Sequence, residues 1–66
     1  MAVDRSKLTP RELQVLRGLV AGRSNRQIGE SLSIAEGTVK GHLHRILRKM
    51  RVSNRTAAAV AAARWK

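Results

Sequence analysis

The sequence predicts an all-α fold, a bundle of four short helices. Three observations carry this expectation. The apolar residues are almost entirely Leu, Ile, Val, Met and Ala, with Trp65 the one aromatic and no Phe or Tyr. Strands favour aromatic and β-branched side chains, so this composition suits packed helices better than a β-sandwich or barrel. The patterns Thr9-x-x-Glu12 and Ser24-x-x-Gln27 each stand just ahead of an apolar run, the signature of a capped helix start. Apolar positions then recur at spacings of three and four.

The first helix starts at Pro10, where a missing backbone donor costs nothing. Thr9 caps it, and Leu8 before the cap with Leu13 at the fourth helical position forms a hydrophobic staple. Leu13, Leu16, Leu19 and Val20 give its apolar stripe, and Gly22 is its stop. The second helix follows Gly22-Arg23, with Ser24 as cap and Ile28 and Leu32 facing inward. At about two turns it is too short to stand alone. Gly29 lies on its inner side, where a missing side chain permits close approach by another helix. Ser33-Ile34-Ala35 is a tight connection, with Ile34 plugging the core. The third helix covers Thr38–Met50. Its Val39, Leu43, Ile46, Leu47 and Met50 make one buried stripe. The opposite face holds Lys40, Gly41, His44, Arg45 and Arg48, of which Lys40, His44 and Arg48 form an exposed row at spacings of four. Val52-Ser53-Asn54 is a turn, with Ser53 or Asn54 capping a fourth helix from about Asn54 to Arg64. The centre of that helix, Ala57 to Ala63, is alanine except for Val60, which gives strong helix propensity and little area to bury.

A chain of 66 residues is expected to be a single domain over residues 8–66, preceded by a polar tail or linker at 1–7. A domain this small buries only about 60% of the surface of its unfolded chain. With no cysteine, neither a disulfide nor a thiolate metal site can supplement the core. Fourteen Lys and Arg face four Asp and Glu, a net charge of +10, and no acid follows Glu36. A polyanion is the expected partner. No apolar run approaches the ~20 residues of a membrane span, and no secretory leader is evident, so a cytoplasmic protein without a membrane partner is expected. His42 and His44 are two apart on a helix and do not face each other, with no thiol or carboxylate beside them, so no metal and no cofactor are expected. A nucleophile–base set is equally hard to build, and the chain is not expected to be an enzyme.

The second helix, a three-residue turn and the longer third helix make a helix-turn-helix. The major groove of B-DNA admits an α-helix, and the second helix of such a unit is the one inserted. Lys40, Gly41, His44, Arg45 and Arg48 are therefore the candidate base-reading residues. The cations can donate to guanine or phosphate, His44 to a base or phosphate, and Gly41 permits close backbone approach. Ser24, Asn25 and Thr38 stand near helix starts, where free N–H groups favour anions. With Lys49 and Arg55 on the far side, they are the candidate phosphate contacts.

Leu8-Thr9-Pro10-Arg11-Glu12, Val15-Leu16, Gly22, Ser24-Asn25, Ile28, Leu32, Ile34, Thr38-Val39-Lys40, His42, Ile46, Lys49-Met50, Val52 and Arg55-Thr56 together resemble the LuxR-type (GerE-like) DNA-binding domain over roughly residues 8–63. The resemblance implies the C-terminal effector domain of a bacterial transcription regulator, placed behind a phosphoacceptor receiver or ligand-binding domain and binding double-stranded DNA as a homodimer. It places base reading on Lys40, Gly41 and His44, and the dimer helix on Arg55–Ala63, with Ala58, Ala59 and Ala62 as contacts. An alanine face implies weak pairing away from DNA. RNA polymerase is a further candidate partner. The sequence departs from the pattern at Ala35, in place of the usual Ser or Thr cap and followed by Gly37, which implies a soft start to the third helix. Gly29 stands where alanine is common and Arg45 where asparagine is, which leaves the base preference open. The run from Thr38-Val39-Lys40 to Leu47-Arg48-Lys49 also resembles region four of a sigma factor, but the extra capped helix 54–64 favours the LuxR type. A cationic amphipathic protein acting on membranes or acidic partners would need neither capping boxes nor helix-turn-helix spacing.

Overall fold

In the computed structural model the described residues are 5–65. They form α1 (Pro10–Val20), α2 (Asn25–Leu32), α3 (Glu36–Met50) and α4 (Arg55–Ala63), with no strand among them. A single 3-10 turn at Arg5–Lys7 leads into α1. The first four residues of the expected tail at 1–7 lie outside the described residues.

Both capping boxes form. Thr9 Oγ1 accepts the Glu12 N–H at 3.1 Å while Glu12 Oε1 accepts the Thr9 N–H at 2.9 Å. Ser24 and Gln27 exchange the same pair of bonds at 3.1 and 2.8 Å. Gly22 sits at φ 80°. It lets the Gly22 and Arg23 N–H groups turn back onto the Leu19 and Gly18 carbonyls, both at 3.0 Å, which closes α1 as a Schellman turn. Asn54 is the cap of α4, its Oδ1 accepting the Ala57 N–H at 2.8 Å. Ser33 (φ 58°) and Arg51 (φ 57°) end α2 and α3 in the left-handed region. Each conformation costs a non-glycine residue about 1 kcal/mol or more.

Two spans differ from the sequence reading. α3 begins at Glu36, two residues before Thr38, because extended Ala35 already offers its carbonyl to the Thr38 and Val39 N–H groups. Ala35 provides no side-chain cap bond. The α1 stripe is also rotated. Glu12, Val15, Leu16, Gly18 and Leu19 are buried, whereas Leu13 is half-buried and Val20 is 45% exposed. The core draws Leu8, Val15, Leu16, Leu19, Ile28, Val39, Ile46, Met50 and Ala58 from all four helices. α1 packs on α3 and α4, and α2 packs on α3.

Two glycines allow close approaches between elements. A Cβ on Gly18 would lie 2.6 Å from Ile28 Cγ1, and one on Gly29 would lie 2.7 Å from the Ile34 carbonyl oxygen. Gly29 thus has the close-approach role expected of it, and it lets the chain fold back from α2 into α3.

Glu12 does more than cap. It is buried, and the oxygen that accepts the Thr9 N–H also accepts Lys49 Nζ at 2.8 Å from the last turn of α3. Burial pushes its pKa up, but the hydrogen bonds from Lys49 and Thr9 and the Lys49 charge outweigh this and hold it below the usual glutamate value.

Gly29→Ala should destabilise by about 1–3 kcal/mol, although alanine is the better helix former, because the carbonyl it meets is backbone, whereas Ala35→Ser should add about 1 kcal/mol by supplying the missing cap. Urea midpoints measure both. A carboxylate whose folded pKa is depressed stabilises above its unfolded pKa and loses that contribution as pH falls through the folded value. Glu12→Gln should therefore be less stable than the parent at neutral pH, with the gap closing in acid. A gap independent of pH contradicts this.

Candidate nucleic-acid interface

α3 is 15 residues long, about 22 Å at 1.5 Å per residue. Its inward face is held by Val39 and Ile46, both fully buried, and by Met50, with Leu43 and Leu47 packed alongside. The period of 3.6 then forces the intervening positions outward. Lys40, Gly41, His44, Arg45 and Arg48 are all exposed. The four side chains among them make no hydrogen bond or ion pair within the described residues. The expected row of Lys40, His44 and Arg48 is therefore assembled on one open face. Nothing lies within 4 Å of a Cβ built at Gly41, so that stretch of helix backbone is bare.

Among the described acids only Glu36, four residues before Lys40, stands on this face. Glu12 is inside with Lys49, Glu30 is 3.7 Å from Arg26 on the surface of α2, and Glu36 occupies the first turn of α3. An acid is favoured at that end by the helix dipole.

The candidate phosphate contacts divide. Ser24 and Thr38 are exposed at the starts of α2 and α3, and Asn25 is half-buried at the first position of α2. The capping box uses the Ser24 and Gln27 N–H groups, leaving those of Asn25 and Arg26 in the first turn without an intrahelical acceptor. Lys49 and Arg55 are turned inward instead. Lys49 holds Glu12, while Arg55 Nη1 donates to Asn25 Oδ1 at 2.7 Å and Nη2 to the Arg23 carbonyl at 3.0 Å. Both cations find partners 30 or more residues away in sequence, and local pattern carries no signal for that.

The expected contacts on α4 divide as well. Ala58 is fully buried in the monomer's own core, which leaves it no surface for a second chain and removes it from any dimer face. Ala59 and Ala62 are half-buried. The outward positions are Thr56, Val60 and Ala63, with Val60 52% exposed.

Comparison with known proteins agrees with this architecture. The family model described as bacterial regulatory proteins, luxR family, matches residues 6–62. The chain is 55% identical over 53 residues to the transcriptional regulatory protein DegU of Brevibacillus brevis, covering 80% of this chain and 22% of that protein. It is 51% identical over 55 residues to the nitrate/nitrite response regulator protein NarP of Escherichia coli, covering 83% and 26%. With the transcriptional regulatory protein LiaR of Bacillus subtilis it shares 48% identity over 63 residues, covering 96% and 30%. The chain thus spans between 22% and 30% of the length of these relatives. The match decides between the two helix-turn-helix readings: the chain belongs to the luxR family of bacterial regulatory proteins, and the matched residues run from ahead of α1 into α4.

Proposed function

We propose that α3 enters the major groove of double-stranded DNA and that Lys40, Gly41, His44, Arg45 and Arg48 face the base edges. The observation that carries this is the open row of Lys40, His44 and Arg48 on a helix whose opposite side is locked into the core. Lys40 and His44, on the N-terminal half of the exposed face, are placed for base edges, as the recognition helix of a helix-turn-helix reads with its first turns. Arg45 and Arg48, a turn later, are placed for bases or flanking phosphates. Ser24, Asn25 and Thr38 meet the sugar-phosphate backbone, fixing register without reading sequence.

The domain serves as the C-terminal effector of a longer regulator governed by phosphorylation or by a ligand. Relatives named as response regulators support the first of these. Its setting is the cytoplasm. No helix among the described residues is long and apolar enough to cross a membrane. Two copies pair on DNA through α4. The contact is Val60 with Thr56 and Ala63, flanked by Ala59 and Ala62. The face is small, so pairing is weak until two half-sites bring the copies together.

Selection from random duplexes, followed by substitution, tests this reading. Lys40→Ala should cost about 1–3 kcal/mol on the selected duplex and relax preference at one position; a loss equal on all sequences would reassign Lys40 to phosphate. Binding should fall steeply with salt, and a folded parent indifferent to duplexes at low salt would refute the proposal. Val60→Asp should abolish cooperative binding to a two-half-site duplex while leaving single half-site affinity intact, as read by sedimentation and gel shift.

A further inference from the structure

Arg55, the first residue of α4, reaches the start of α2 with its guanidinium. One of its arms holds Asn25 Oδ1 at 2.7 Å, and the other holds the Arg23 carbonyl at 3.0 Å. A planar fork with two parallel donors fixes direction as well as distance. A side-chain amide has one accepting atom and one donating atom. With Oδ1 facing Arg55, the Asn25 NH2 group points away from it, and no described residue is bonded to that group. Resting on the duplex-binding reading above, we infer that Arg55 is a positioning residue for DNA: it contacts no phosphate itself, and acts by holding the Asn25 amide with its NH2 group presented to the sugar-phosphate backbone.

The alternatives make different demands. As a direct phosphate ligand Arg55 would use the three N–H donors that its two internal bonds leave over, and its loss would remove a cation from the interface. As a plain staple between α4 and α2 it would affect folding and leave duplex affinity alone once the protein is folded. Acting through Asn25, it has no separate effect when Asn25 is absent.

A double-mutant cycle on a mixed-sequence DNA duplex separates these. Asn25→Ala and Arg55→Met should each weaken binding of the folded protein about tenfold, as for loss of one hydrogen bond to a charged group, and the double variant should be no weaker than either. The slope of log affinity against log salt should stay at the parent value, whereas loss of a direct phosphate cation would lower it by about 0.9. Arg55→Lys, which keeps the charge but lacks the planar fork that spans the two acceptors, should also bind more weakly than the parent, and it serves if Arg55→Met fails to fold. Additive losses, a lowered slope, or parental affinity in either Arg55 variant would overturn the role. A parent that binds no duplex at low salt would overturn the duplex reading itself.

Discussion

The exit of α3 from α2 is fixed by an approach of backbone to backbone. Where Gly29 of α2 meets the turn into α3, the space for a Cβ is already filled by the Ile34 carbonyl oxygen. The Ile34 N–H closes the same turn on the Gly29 carbonyl at 2.9 Å. Any side chain at Gly29 would push this turn outward and carry the start of α3 with it. The angle at which α3 leaves α2, and hence the direction its outer face looks, depends on that absent methyl group.

The far end of α3 is tied down by different chemistry. Met50 is buried, and Lys49 beside it reaches the carboxylate that also caps α1. Steric contact at one end and a charge-assisted bond at the other, with Ile46 fully buried between them, leave the helix little freedom to roll. A helix that cannot roll holds its exposed residues in one direction, as direct readout of base edges requires. Its start is held by backbone bonds alone, since Ala35 offers its carbonyl but no side-chain cap.

Much of this was legible in sequence because it is local. Capping boxes, the glycine stop at Gly22 and the α3 stripe depend on residues three or four apart, and each formed as read. The α1 stripe was misjudged where two faces were both apolar enough. Leu13 and Val20 satisfy the spacing as well as Val15 does, and only packing against α3 and α4 decides that Val15 goes inside. α4 was harder still. When nearly every residue is alanine, no periodicity marks an inner side, so the burial of Ala58 and the exposure of Val60 follow from the rest of the bundle. Sequence makes Arg55 and Lys49 candidate phosphate contacts because nothing near them betrays their partners in α2 and α1.

Those two inward cations change what the net charge means. A charge of +10 on 66 residues opposes folding through self-repulsion, and a chain without disulfides has few means to offset it. Using Lys49 and Arg55 to tie helices together turns part of that surplus into cohesion. The cations left without internal partners on α3, Lys40, Arg45 and Arg48, are then concentrated on the face that the buried stripe holds outward. On the proposed function, a row of phosphates relieves their mutual repulsion, so the charge that opposes folding favours binding to a duplex.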